Sequence, residues 1–338
     1  MLQNNSREAL LVSRRELLLA VGATVASAPL ALLAQPIKVW RVAYLGDGSP
    51  ATRSADTFEP FREGMVALGY VTGRNLVIDV RWTESNPERR IALAQELVNL
   101  KPDVIVTHGV VAAKVVKAAT ATIPIVLAVA ADVLNTGLVA SLARPGGNLT
   151  GMTDQAAELA AKEVQLLKEA LPKMQRLAVI SEGANPAAVL AAEDMQAAAK
   201  KLGLRFQLHL VSNAEEIEKA FDAAAAQRTD GVIISHTPLT VGLRNRISAY
   251  ALKRQLPLMS APRLFPEAGA LISYGPDLAK YFRRAAYFVD KILKGANPAD
   301  IPIEQPTSLD LVVNMKTARA LGVKIPNSIL LQATKVIE

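Results

Sequence analysis

The chain has 338 residues, of which 51% are apolar, 20% charged and only 4% aromatic, with a formal net charge of +7. That is enough for two compact lobes, whose cores must be packed by Ala, Leu, Val and Ile rather than by rings. There is no cysteine, which excludes disulfides, thiolate metal sites, cysteine nucleophiles and a lipid-modified N-terminal Cys.

Taken in chain order, the first feature is Ser13-Arg14-Arg15-Glu16-Leu17-Leu18, paired arginines directly before a run from Leu17 to Ile37 without a charge. This is the layout of a secretory signal of the twin-arginine type, expected over residues 1–34 with cleavage near Ala34. Gly22, Thr24, Ser27 and Pro29 make it a weak permanent membrane helix. Losing three arginines and two glutamates with those residues leaves a charge of +6. The positives are spread along the chain, and the densest pairs (Arg89-Arg90, Lys200-Lys201, Arg283-Arg284) fall in expected helices. We read them as a solvated basic surface, with no nucleic-acid partner.

After Pro36, strands and helices alternate. Val39–Leu45 reads as a strand, followed by the loop Gly46-Asp47-Gly48-Ser49-Pro50 and a helix from about Asp56 to Leu68. Leu76–Trp82, Val104–Val106 and Ile125–Val129 are further strands; Asn86-Pro87-Glu88 opens a helix, and another spans about Val111–Thr120. A second set follows: strands Leu177–Ile180, Arg205–Val211, Val232–Ser235 and Leu258–Met259, with helices Pro186–Leu202, Ala214–Ala226 and Leu239–Gln255. The strands are continuous apolar runs, the mark of parallel strands covered on both faces. The expectation is α/β: two doubly wound, Rossmann-like parallel-sheet lobes of about five strands each, joined by a hinge. Lobe 1 is expected over 36–150 plus about 274–305, and lobe 2 over 151–273 plus about 306–338. A long helix, Leu278–Leu293, precedes the segment Pro298–Pro306, read as a hinge crossing rather than core.

Ligands of open parallel sheets bind beyond the C-terminal ends of the strands. The loops there supply the candidate ligand-binding residues Asp47, Ser49, Thr107, His108, Gly109, Asp132, Ser181, Asn185, Ser235 and His236, and Tyr274 stands at the proposed return crossing. His108 and His236 each follow the last residue of a strand, one per lobe, and are read as facing the cleft; no third ligand stands beside them for a metal. His209, mid-strand, is structural or solvated. Asp132 either receives a ligand ammonium group or caps the turn toward Asn135. Tyr274 and Trp82 could each stack on a ligand, with Trp82 the better candidate for packing.

Enzyme signatures fail one by one. Ala51 stands where a dinucleotide fingerprint starting at Gly46 needs its third glycine, and there is no phosphate loop, Gly-x-Ser-x-Gly elbow or His-Glu-x-x-His. No cofactor is expected. An exported enzyme using His108, His236 and Asp132, or a sensory module for a receptor kinase, are the alternatives.

Several segments resemble one family. Gly64-Met65-Val66-Ala67-Leu68-Gly69-Tyr70-Val71-Thr72-Gly73-Arg74-Asn75, Thr136-Gly137-Leu138 through Arg144-Pro145-Gly146-Gly147-Asn148-Leu149-Thr150-Gly151, and Ser273-Tyr274-Gly275-Pro276-Asp277 carry the resemblance. They are similar to the substrate-binding proteins of ATP-driven (ABC) importers, of the tryptophan/tyrosine type. The resemblance implies a type I periplasmic-binding-protein fold and a small polar organic solute held between two lobes. It also implies a periplasmic, monomeric receptor served by a separately encoded permease and ATPase. Two positions depart from the pattern: His108 stands where small residues are usual, and Ser235-His236-Thr237 where apolar or acidic ones are. An amino-acid specificity is therefore not carried over with the resemblance.

Overall fold

The structure, a computed structural model, describes residues 38–154, 156–305 and 307–338. The export segment expected at 1–34 and Pro306 lie outside the described residues.

The first sheet holds five parallel strands in the order β2-β1-β3-β4-β5: β1 Trp40–Gly46, β2 Leu76–Trp82, β3 Val104–Thr107, β4 Ile125–Ala131 and β5 Leu149–Asp154. Side chains alternate across a strand, so Val42 and Tyr44 meet one helical layer and Ala43 and Leu45 the other. Phe61 and Met65 of the Phe58–Ala67 helix, with Phe282, Ala286 and Phe288 of the Leu278–Leu293 helix, cover the first face. Ala94, Leu97, Ala113 and Val116 of the Pro87–Asn99 and Val110–Ala119 helices cover the second. Trp82 stands 5.9 Å from the Tyr44 ring and packs in this core.

The second sheet has seven strands in the order β12-β11-β10-β9-β8-β6-β7, where five were expected. They are β6 Arg176–Glu182, β7 Arg205–Val211, β8 Gly231–Ile234, β9 Leu258–Ser260, β10 Ile272–Gly275, β11 Asp310–Asn314 and β12 Lys335–Ile337. The extra pair comes from the tail: β11 runs antiparallel to β10, and β12 then lies parallel to β11. The chain crosses between the sheets after Asp154, after Gly275 and between Glu304 and Asp310. The expected junctions at 150 and 274 thus fall inside β5 and β10.

Local signals set the helix starts. Asn86 accepts from the Arg89 N–H (2.9 Å), Asn185 from Ala187 (3.1 Å) and Asp277 from Ala279 (3.0 Å). Two expectations need correction. The single helix expected over Leu239–Gln255 is two, Pro238–Gly242 and Arg244–Lys253. Thr237 and Thr240 form a reciprocal cap on the first, and Gly242, a poor helix former, marks where it stops. The Pro298–Pro306 crossing also contributes to the core: Ile301 and Ile303 are buried. Thr153 N–H donates to the Glu304 carbonyl and Glu304 N–H to that of Gly151, both at 2.9 Å. The segment therefore runs along β5 and turns its isoleucines inward before it crosses.

Candidate functional site

The strand ends of the two lobes converge on two compartments that share Ala131, Asn185, His236 and Thr237. One, of about 60 Å³, is lined by Arg53, His108, Asp154 and Phe282 among others. The second, of about 30 Å³, runs into the second lobe between the Ala156–Ala170 and Pro186–Lys201 helices, and Glu163 is the charged residue on its wall besides the shared His236.

Arg53 ends the short Pro50–Arg53 helix and is only 3% exposed. The chain can fold it inward because Gly48 has φ +83°, and a Cβ there would lie 2.6 Å from Arg53 Cγ. Its Nε and Nη1 have no hydrogen-bond partner among the described residues. Burial pulls its pKa down, with the Asp56 carboxylate opposing, and the group stays a cation. A buried guanidinium with unanswered N–H groups is costly, and an anionic ligand group would answer them.

His108 is held by its neighbours as a neutral ring. Its Nε2 accepts the backbone N–H of Asp47 at 3.2 Å, and its edge meets the Phe282 ring at 5.3 Å. Burial first, then Arg53 and Arg90, push its pKa down to about 3, against the pull of Asp47. The proton therefore sits on Nδ1, which makes that nitrogen the donor. Asp47 itself is buried with Arg90 at 3.0 Å and accepts from the Thr83 hydroxyl. Burial alone would raise its pKa; Arg90 and Thr83 outweigh that and hold it below the usual carboxylate range.

On the opposite wall, His236 Nε2 lies 3.1 Å from Asp154 Oδ2, which joins the second lobe to the end of β5 in the first. Burial opposes the His236 charge, but the Asp154 hydrogen bond and charge overcome it, so the pKa is raised. The other Asp154 oxygen, Oδ1, is buried without a partner among the described residues. Glu163, nearby, is also buried, and Oε1 of its carboxyl has no partner among the described residues. Burial pushes its pKa up to about 8, with His236 pulling it down and Asp154 adding to the rise.

Of the residues expected from sequence, His108, Gly109, Asn185 and His236 line the charged compartment, and Ser181, Asn185, Ser235 and His236 the apolar one. Ser181 Oγ is already spent on the Ala188 carbonyl (2.9 Å), and Ser235 Oγ accepts from Glu182 N–H (3.3 Å). Asp47, Ser49, Thr107, Asp132 and Tyr274 line neither compartment. Asp47 acts behind His108, and Ser49 pairs with the Thr52 hydroxyl. Thr107 donates to the Leu45 carbonyl, and Tyr274 packs on the core of the second lobe. Asp132 caps its own turn through Asn135, so the acid beside His236 is Asp154 and not Asp132.

Arg53, Asp154, Glu163 and Thr237 are the additions. Asp154 follows from the strand-end rule once β5 is seen to run past residue 150. Glu163 shows as a lone charge on the apolar stripe Ala160, Val164, Leu167. Nothing local marks Arg53.

A family profile described as ABC transporter substrate binding protein matches residues 53–337. The chain belongs to that family. Its α/β architecture is that of the type I periplasmic binding proteins. A tyrosine-binding protein of Clostridioides difficile is 25% identical over 270 residues, 78% of this chain and 76% of that protein. A conserved domain protein of Vibrio cholerae superposes with a TM-score of 0.83 at 28% identity, over 88% of this chain and 100% of that one. An ABC domain of Streptococcus pneumoniae in complex with L-Trp gives a TM-score of 0.82 at 24% identity, over 89% and 100% respectively. This substrate-binding protein thus shares its fold with these solved structures.

Proposed function

We propose that this substrate-binding protein is the periplasmic receptor of an ABC importer and that its ligand is a zwitterion of the amino-acid type. One observation carries the reading. Two oppositely charged groups of one compartment, Arg53 and Asp154, each keep buried polar atoms without a partner. A carboxylate answers the guanidinium with charge-assisted hydrogen bonds, and an ammonium group answers Asp154 Oδ1. His108, which lines the same compartment, supplies a neutral donor through Nδ1–H. Binding tyrosine and tryptophan, as two of the relatives do, belongs to the same chemical class.

In this reading the closed lobes exclude water, which strengthens each polar contact. Twin-arginine export with cleavage near Ala34, a monomeric state, and a separately encoded permease and ATPase complete the proposal. The test is isothermal titration of the purified protein with amino acids, organic acids, polyols and nucleosides, repeated on Arg53→Met. Micromolar binding of an amino acid, weakened at least a hundredfold in the variant, is expected. Binding confined to uncharged solutes, or turnover of a bound compound, refutes it.

A further inference from the structure

The apolar compartment says what kind of arm the ligand carries. Its walls include the methyl groups of Ala160, Ala187, Ala188, Ala191 and Ala192 with Met195, none of which can form a strong hydrogen bond. Into this lining the Ala156–Ala170 helix places the Glu163 carboxyl, 3% exposed, with Oε1 unanswered. The charged groups facing Glu163 are Asp154 at the end of β5 and His236 after β8; the Pro186–Lys201 helix presents only alanines and Met195 to the compartment. Near neutral pH the carboxyl is protonated, since burial holds its pKa at about 8. It is a neutral group able both to donate and to accept, and its Oε1 has no partner among the described residues, a costly arrangement unless a ligand completes it.

Size narrows the class further. The two compartments hold about 60 and 30 Å³, whereas a cavity that admits a benzene ring is on the order of 150 Å³.

Resting on the amino-acid reading above, we infer that the ligand is a short-armed amino acid whose arm carries an N–H or O–H donor, and that Glu163 is the residue that selects it. The hydroxyl, amide and amine versions share this chemistry and differ in one respect. A cationic amine beside Glu163 drives off the carboxyl proton, while a hydroxyl or amide leaves it in place.

The experiment is calorimetric titration of the purified protein with serine, threonine, asparagine, glutamine and 2,3-diaminopropionate. The isosteres 2-aminobutyrate, valine and leucine (for serine, threonine and asparagine), then alanine, tyrosine and tryptophan, serve as comparisons. One donor-bearing ligand is expected to bind at least tenfold more tightly than its apolar isostere, because a site built around a hydrogen bond rejects the analogue that lacks it. Glu163→Leu brings that ratio below about twofold; Glu163→Gln, which keeps an acceptor of the same size, preserves the preference. Repeating the titration in two buffers of different ionisation enthalpy identifies an amine by release of a proton. Equal binding of the apolar isosteres, a preference that survives Glu163→Leu, or tighter binding of tyrosine or tryptophan overturns the inference. Binding of another solute class and of no amino acid overturns the receptor reading and this inference with it, a result distinct from the other three.

Discussion

Replacing Glu163 by Gln should flatten the dependence of stability on pH. An unfolded glutamate titrates near 4.5, whereas burial holds the native Glu163 proton until about 8. Between those values the native state binds a proton that the unfolded state has lost, so stability falls as pH rises, by about 1.4 kcal/mol per pH unit for one proton. His108 opposes this below 6.5. Its native pKa is depressed to about 3, so there the unfolded state holds the extra proton and stability rises with pH. The clean window therefore lies from pH 6.5 to 8, where the Glu163 contribution amounts to about 2 kcal/mol. The raised pKa of His236 adds a loss of the same sign. For a protein of this size, about 2 kcal/mol corresponds to roughly 3 °C in Tm. Scanning calorimetry of the ligand-free protein at several pH values and constant ionic strength measures it. Wild type should lose stability across the window, and Glu163→Gln should lose about 2 kcal/mol less. Parallel profiles for the two proteins would refute the assignment of a buried, protonated Glu163.

Two further outcomes follow from the ion pairs around the cleft. Arg90→Met leaves the Asp47 carboxylate buried without its cation and should cost about 3–5 kcal/mol in urea unfolding. Adding Asp47→Asn should recover most of it, and a loss under about 1 kcal/mol for the single change would show that Asp47 is solvated. The pair Arg244–Asp56, at 2.8 Å and with both side chains largely buried, links a helix of the second lobe to the turn that carries Arg53. Arg244→Ala should weaken ligand binding about tenfold by lowering the population of the closed form, read by titration. Unchanged affinity would mean the pair plays no part in closure.

The relation between sequence and site is uneven. His108 and His236 were legible because a polar residue immediately after a buried parallel strand must lie at the ligand-binding edge of the sheet. Asp47 and Thr107 obey the same rule, yet they turn to Arg90 and to the Leu45 carbonyl. The rule places the backbone of a residue and leaves its side-chain direction open. Asp154 stands four residues past the boundary expected at 150, because β5 runs on from Leu149 to Asp154. Ile301 and Ile303 were hidden by the prolines around them, which mask an inward-facing pair two residues apart.

By itself the sequence determined the α/β class, the order of most elements and the convergence of the loops, because apolar runs, caps and turn residues act over a few neighbours. Only the tertiary structure decided which polar groups of the cleft are already satisfied and which are not. Arg90 answers Asp47 from 43 residues away, and His236 answers Asp154 from 82. Arg53 and Glu163 are left with unanswered atoms. Hydrogen-bond saturation is settled by atoms that folding brings together, often from distant parts of the chain.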